Sequence, residues 1–157
     1  MRLFAAVFGV VILSSCGSAP APAPAETAKK AEPAPKPLDE SQRFPIGNRT
    51  QSKVVDEKLM GKTFMPGGTV ADFKKGSTDY QMFVAKTPGP TDAAILLLDW
   101  KNALSGAKLV PSFGGYFGTD SGKPVFVFAK GAWIAGIVGL AEKQADAQAR
   151  LLAAQLD

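Results

Sequence analysis

Histidine is absent and cysteine occurs once, at Cys16, in this chain of 157 residues. Together these two facts remove most of the common site chemistry. Without imidazole there is no His-dependent triad, no His metal ligand and no histidine pH switch. A single thiol cannot form a disulfide within the chain, a thiolate zinc site or an iron–sulfur cluster. Carboxylate, Lys, Tyr and Ser chemistry remains. Asp72, Asp79, Asp99 and Asp120 are the carboxylates from which a paired acid/base mechanism could be built, and such a pair must stand about 5 to 10 Å apart. The first three each have a lysine close by in sequence (Lys74, Lys75 or Lys101), and nothing in the spacing marks two of them as partners. Lys123 beside Ser121 reflects turn composition.

The glycine-rich stretch Phe113–Lys123 is the other place where chemistry is suggested. A phosphate-binding loop needs Gly-Lys followed by Ser or Thr at the start of a helix, so that backbone N–H groups and the hydroxyl meet phosphate and Mg²⁺. Here Gly122-Lys123 is followed by Pro124 and a β-rich run, so nucleotide binding is not expected. Two readings are left. One is a glycine-kinked strand entering a tight turn. The other is a ligand site in which Gly114 and Gly115 admit a partner beside Tyr116 and Phe117, with Trp133 as a further binding residue. Were one strand face left uncovered, Tyr116, Phe126, Phe128 and Trp133 could line an apolar groove; otherwise such aromatics belong to the core.

Cys16 is preceded by Arg2, the apolar run Leu3–Leu13 and the small residues Ser14-Ser15. That is the pattern of a secretory signal, residues 1–15, with an apolar core too short to span a bilayer stably. Leu13-Ser14-Ser15-Cys16 resembles the lipobox of bacterial lipoproteins. The resemblance implies cleavage before Cys16, transfer of diacylglycerol to its thiol and acylation of the new amino terminus. The partner so implied is the lipid bilayer, and several acyl chains on one residue hold more firmly than one. Gly17 stands where enterobacterial lipoproteins carry an aspartate for inner-membrane retention. By that resemblance the expected location is the cell envelope, on the periplasmic face of the outer membrane.

Composition changes after Cys16. Residues 16–38 hold an alternating Ala-Pro tract (Ala19–Ala25) and a second proline cluster (Pro33–Pro37). Such a segment cannot bury a core and favours extended polyproline II, which over this length reaches about 70 Å at most. It reads as a tether. Residues 39–157 then form one domain, long enough for a single core. The formal net charge of +4 is too small to argue for nucleic acid.

Within the domain, residues 41–61 read as irregular and polar, with a short strand or helical turn near Val54–Met60, and Met65–Gly68 reads as a turn. Thr69–Lys74 and Asp79–Lys86 predict a hairpin about Lys75–Thr78. Tyr80, Met82 and Val84 share one of its faces; Gln81, Phe83 and Ala85 share the other. A helix over Asp92–Leu104, capped by Thr91, buries Ala93, Leu97, Trp100 and Leu104 and is expected to be deeply packed. Strands near 115–119, 124–129 and 132–138 predict a meander, and the middle one is apolar on both faces. A final amphipathic helix buries Ala145, Ala149, Leu152 and Leu156. The order ββαβββα predicts an α+β class: a small antiparallel sheet, hairpin plus three-stranded meander, with two packed helices.

Gly-Gly-Thr-Val-Ala-Asp-Phe at 67–73 and Phe-Gly-Gly-Tyr-Phe-Gly at 113–118 resemble an uncharacterised domain family of secreted acidobacterial-type proteins, over about residues 64–156. That resemblance implies a single α+β domain and no particular activity. The expected function is a non-enzymatic binding or scaffold module, without cofactor or metal, for an envelope protein or an apolar ligand. Two alternatives are an envelope-polymer hydrolase using carboxylates and an assembly subunit that pairs through a sheet face or edge.

Overall fold

The computed structural model describes residues 36–111 and 113–157, which belong to one compact unit. Cys16, the signal segment and nearly all of the tether lie outside the described residues. Seven strands form one antiparallel sheet: β1 (Arg49–Glu57), β2 (Pro66–Lys75), β3 (Thr78–Lys86), β4 (Ser105–Val110), β5 (Gly115–Asp120), β6 (Lys123–Lys130) and β7 (Trp133–Val138). Two helices complete the fold, α1 (Pro90–Ala103) after β3 and α2 (Glu142–Ala153) after β7. The class is α+β. Its element order is βββαββββα, two strands more than the sequence suggested.

The sheet order is β1-β2-β3-β7-β6-β5-β4. Each half of the chain winds from an outer edge to the centre, where β3 meets β7 with Phe83 opposite Gly136 and Val84 opposite Ala135. The hairpin turns explain the register. At the β5–β6 turn Ser121 and Gly122 both have positive φ, the geometry a two-residue turn needs to match strand twist.

The helices lie on opposite faces. Strand alternation sends Phe83, Val127 and Ile134 to the side of Trp100 and Leu104 of α1. It sends Met82, Phe126 and Ile137 to the side of Ala145, Ala149 and Leu152 of α2. The central strands are therefore apolar on both faces because both are covered. Close backbone approach sets the α1 side. A Cβ at Gly136 would fall 2.5 Å from the Phe83 ring, and that space lets Phe83 stack on Trp100 with ring centroids 5.5 Å apart. The indole N–H of Trp100 donates to Met65 Sδ at 3.2 Å.

Several local expectations are corrected. The N-cap of α1 is Gly89, with Pro90 opening the helix and no side-chain cap from Thr91. Ile95 and Leu98 are half exposed, at 53% and 52%, because α1 turns Ala93 and Trp100 fully into the core, and Leu96 and Leu97 pack on it only partly buried, Leu97 less than its place in the stripe predicts. Gly67 and Gly68 are strand residues, not a turn: a Cβ at Gly68 would stand 2.3 Å from the Val84 carbonyl oxygen. The segment before β1 is packed. Phe44 is buried edge-on to Phe73, and Arg43 lies 4.4 Å over the Trp133 ring while donating to the Gln155 carbonyl at 2.6 Å. Thr69, fully buried, accepts from the Glu40 N–H at 3.0 Å and donates to the Leu38 carbonyl at 3.3 Å. These bonds fasten the incoming chain beside the start of β2.

Candidate functional site

Helix α1 lies over β4–β7 and reaches β3 through the Trp100–Phe83 stack, and the rest of its face, over β1, β2 and the hairpin end of β3, is left to be covered otherwise. At one end Leu59 and Met65 do so, packing on Val70 and Phe83. At the other end, toward the β2–β3 hairpin, the face carries polar residues and stays open. A cavity of about 570 Å³ lies there, lined among others by Asp72, Lys74, Asp79, Gln81, Lys123 and Val138.

Register explains why these side chains meet. Asp72 is opposite Gln51 on β1 and opposite Gln81 on β3, and Gln81 is opposite Val138 on β7. Cross-strand partners project to the same face, so Gln51, Asp72 and Gln81 make a polar row across three strands. Gln81 Nε2 donates to Asp72 Oδ1 at 2.6 Å, and Gln51 Nε2 donates to Asp72 Oδ2. The Gln51 bond, then the Gln81 bond, hold the Asp72 carboxyl below its ordinary range; partial burial opposes them and nearby Lys53 adds to them. Asp72 is thus an oriented, ionised carboxylate whose two oxygens are each fixed by an amide. Two residues along, Lys74 and Asp79 face each other with Nζ and Oδ1 4.0 Å apart, both well exposed. Lys123, on the β5–β6 turn, is exposed and has no ion-pair or hydrogen-bond partner among the described residues. On the opposite face Tyr80 stacks on Phe73 at 5.0 Å, and burial pushes its phenol pKa up.

Of the four carboxylates singled out in the sequence, Asp72 and Asp79 come to one face and line one cavity. Asp120 stands opposite Lys123 on the same face but does not line the cavity and is engaged by Lys62 at 2.8 Å, and Asp99 is on α1. Diagonal neighbours on a sheet stand about 7–8 Å apart, within the range a glycosidic pair would use. Asp72, held ionised, can serve only as the base or nucleophile of such a pair, and the acid would have to be Asp79, which is exposed and faces Lys74 Nζ at 4.0 Å.

The glycine-rich residues are not brought together as one site. Gly114 takes positive φ at the turn into β5. Gly115 is buried where a Cβ would stand 2.5 Å from the Val127 carbonyl oxygen. Tyr116 lies on the α1 side, with Lys101 Nζ 5.7 Å from its ring centroid, and Phe117 packs on the α2 side. Trp133 is buried at the far end of the β6–β7 hairpin, beneath Arg43. Phe126 and Phe128 are core residues that pack with Phe113. Their aromatic and glycine content serves packing and turns.

A second concavity, of about 440 Å³, is more apolar and lies where the chain joins the domain, between Pro37-Leu38, Pro66–Gly68 and Val84–Pro88. The described residues contain no group of three or more His, Cys, Asp or Glu placed to hold a metal ion. No family model, curated protein or solved structure matches this chain.

Gln51 and Gln81 were not singled out in the sequence. The signal for Gln81 was present: it is a polar residue at a position whose strand neighbours on the same face are Phe83 and Ala85. Gln51 sits in a strand that sequence alternation did not reveal.

Proposed function

We propose that this protein is a lipid-anchored envelope lipoprotein whose domain is a non-enzymatic binding module, with the polar cavity as its ligand surface. The observation that carries the reading is the Gln51–Asp72–Gln81 row. A carboxylate clamped on both oxygens is an oriented acceptor that need not reorganise when a ligand arrives, which lowers the ordering cost of binding. The cavity is also lined by two cations, Lys74 on β2 and Lys123 on β6. Its position supports presentation from a tether. The chain joins the domain beside Pro66–Thr69, at one end of β2, and the cavity lies toward the Lys75–Thr78 hairpin at the other.

The experiment has two arms. Intact-mass analysis of the membrane fraction is expected to find a chain beginning at Cys16 with acyl mass added; a Cys16→Ser variant that still fractionates with membranes would remove the anchoring claim. Binding is measured by calorimetry with soluble fragments of digested cell envelope and the full-length chain in detergent. Heat that disappears in Asp72→Asn or in Gln81→Ala supports the cavity as the site. Binding indifferent to both substitutions moves the ligand surface elsewhere.

The hydrolase alternative draws on Asp72 and Asp79 sharing one cavity. It requires turnover of an envelope polymer that is lost in Asp79→Asn as well as in Asp72→Asn. The assembly alternative draws on β1 and β4, each paired on one side only, and a concentration-independent monomer in solution would remove it.

A further inference from the structure

The charges of the cavity are separated across the sheet, and their separation says what shape of ligand fits. Asp72 and Asp79 belong to β2 and β3; Lys123 opens β6, two residues from Val125 and on the same face as it. Three strand spacings lie between β2 and β6, because β3 and β7 stand between them. At about 4.8 Å each, the backbones are about 14 Å apart. The floor between is Gln81, Val138 and Gly139, and the one charged side chain of β3 at its edge, Asp79, is engaged by Lys74. The Gly139 N–H is already used on the Pro124 carbonyl at 2.8 Å. One end of the cavity thus has a fixed anion, the other has a cation without a partner, and the middle is neutral.

A ligand that satisfies both ends carries a positive group and a negative group separated by a neutral stretch. Resting on the cavity being the ligand surface, we propose that it takes a short zwitterionic peptide, with the ammonium at Asp72 and the carboxylate at Lys123. The length agrees. The two-residue offset of Lys123 from the row of Asp72 adds about 7 Å lengthwise, for a separation of about 16 Å; the two side chains reach inward over part of it, and an extended tripeptide spans about 10 Å. The row of amides sets the polarity. Each Gln amide nitrogen is turned toward Asp72, which leaves the carbonyl oxygen of Gln81, the one of the two that lines the cavity, as a further acceptor for the N–H groups of an ammonium. Lys74 lies at the acidic end but is engaged with Asp79, so the unengaged cation is the one at the far end.

Calorimetric titration of the full-length chain in detergent tests this, with four probes: tri-L-alanine, its N-acetyl form, its C-terminal amide and chitotriose. Tri-L-alanine is expected to bind, and each cap is expected to weaken it by about tenfold or more, since each removes one charge-assisted contact. Lys123→Ala is expected to weaken tri-L-alanine to the level of the amide while leaving the amide unaffected. Lys123 is exposed, so this variant folds even if Asp72→Asn proves unstable. Equal affinity for capped and free peptides, or no heat from tri-L-alanine, overturns the zwitterion assignment. If chitotriose binds instead and the binding is lost in Gln81→Ala, the cavity remains the ligand surface and only the ligand class is wrong. If no probe binds and envelope fragments bind independently of Gln81, both fall.

Discussion

Gln81 on β3 stands directly opposite Asp72 on β2 and gives one amide hydrogen to its Oδ1 at 2.6 Å. With Gln51 on the other side, Asp72 accepts an amide hydrogen on each carboxylate oxygen, and these two bonds lower its pKa.

The first prediction is a pH dependence. The folded pKa of Asp72 is lowered from its ordinary value of 3.8, so the unfolded chain takes up the proton first as pH falls. The stabilisation is fully present above that value and is lost as pH drops through the lower, folded value. Because the site is open to solvent, its size is less than about 1 kcal/mol. Thermal melts between pH 7 and pH 2 are expected to show the gap between wild type and Gln51→Ala closing only below about pH 4. A gap that is constant with pH would mean the amide does not act through ionisation.

Asp72→Asn leaves the volume unchanged but turns an amide N–H₂ toward one of two glutamine amides that already donate. At neutral pH the variant is expected to lose about 0.5–1.5 kcal/mol in urea unfolding. Gln81→Glu combined with Asp72→Asn restores a donor–acceptor match and is expected to recover part of the loss.

At the core, Gly136→Ala places a methyl group 2.5 Å from the Phe83 ring. Since Phe83 stacks on Trp100, the ring cannot retreat freely, and the expected loss is about 1–3 kcal/mol. Urea unfolding gives the magnitude, and Trp100 fluorescence reports whether the stack is displaced. By contrast Leu98→Lys, on the exposed side of α1, is expected to change stability by no more than about 0.5 kcal/mol.

Arg43 joins the segment before β1 to the end of the chain. It pairs with Glu40 at 2.7 Å, covers Trp133 and donates to the Gln155 carbonyl. Arg43→Ala is expected to cost about 1–2 kcal/mol. Hydrogen exchange is expected to quicken at Phe44, whose N–H bonds the Ser41 carbonyl, before it quickens in β7. Uniform quickening would mean the segment is not a separate local unit.

How far the fold could be read from the sequence depended on where apolar residues were needed. The β2–β3 hairpin and the meander were legible because their strands face a covered core and alternate or run apolar accordingly. The stripe Ala145–Ala149–Leu152 of α2 was legible for the same reason. β1 was not: Arg49–Glu57 is an edge strand, largely exposed, and nothing in its pattern distinguishes it from a loop. β4 was hidden by Ser105-Gly106, which reads as a helix stop and is also the first step of the strand. The candidate site was legible only in pieces. Asp72, Asp79 and Lys123 were noted singly, but their convergence is a product of register, and register across β1-β2-β3-β7-β6 is a tertiary property. The glycine-rich stretch misled in the other direction, since Gly115 is demanded by the Val127 backbone and not by a ligand.

The seam between β3 and β7 has a consequence for how the protein is made. Its pairs join residues about fifty apart, from Lys86 opposite Trp133 to Gln81 opposite Val138, and α2, which seals one face, comes later still. A chain emerging amino-terminus first therefore has no interior until nearly its whole length is free, because the innermost ladder waits for the second-last element. Long-range closure of this kind slows collapse into the native state.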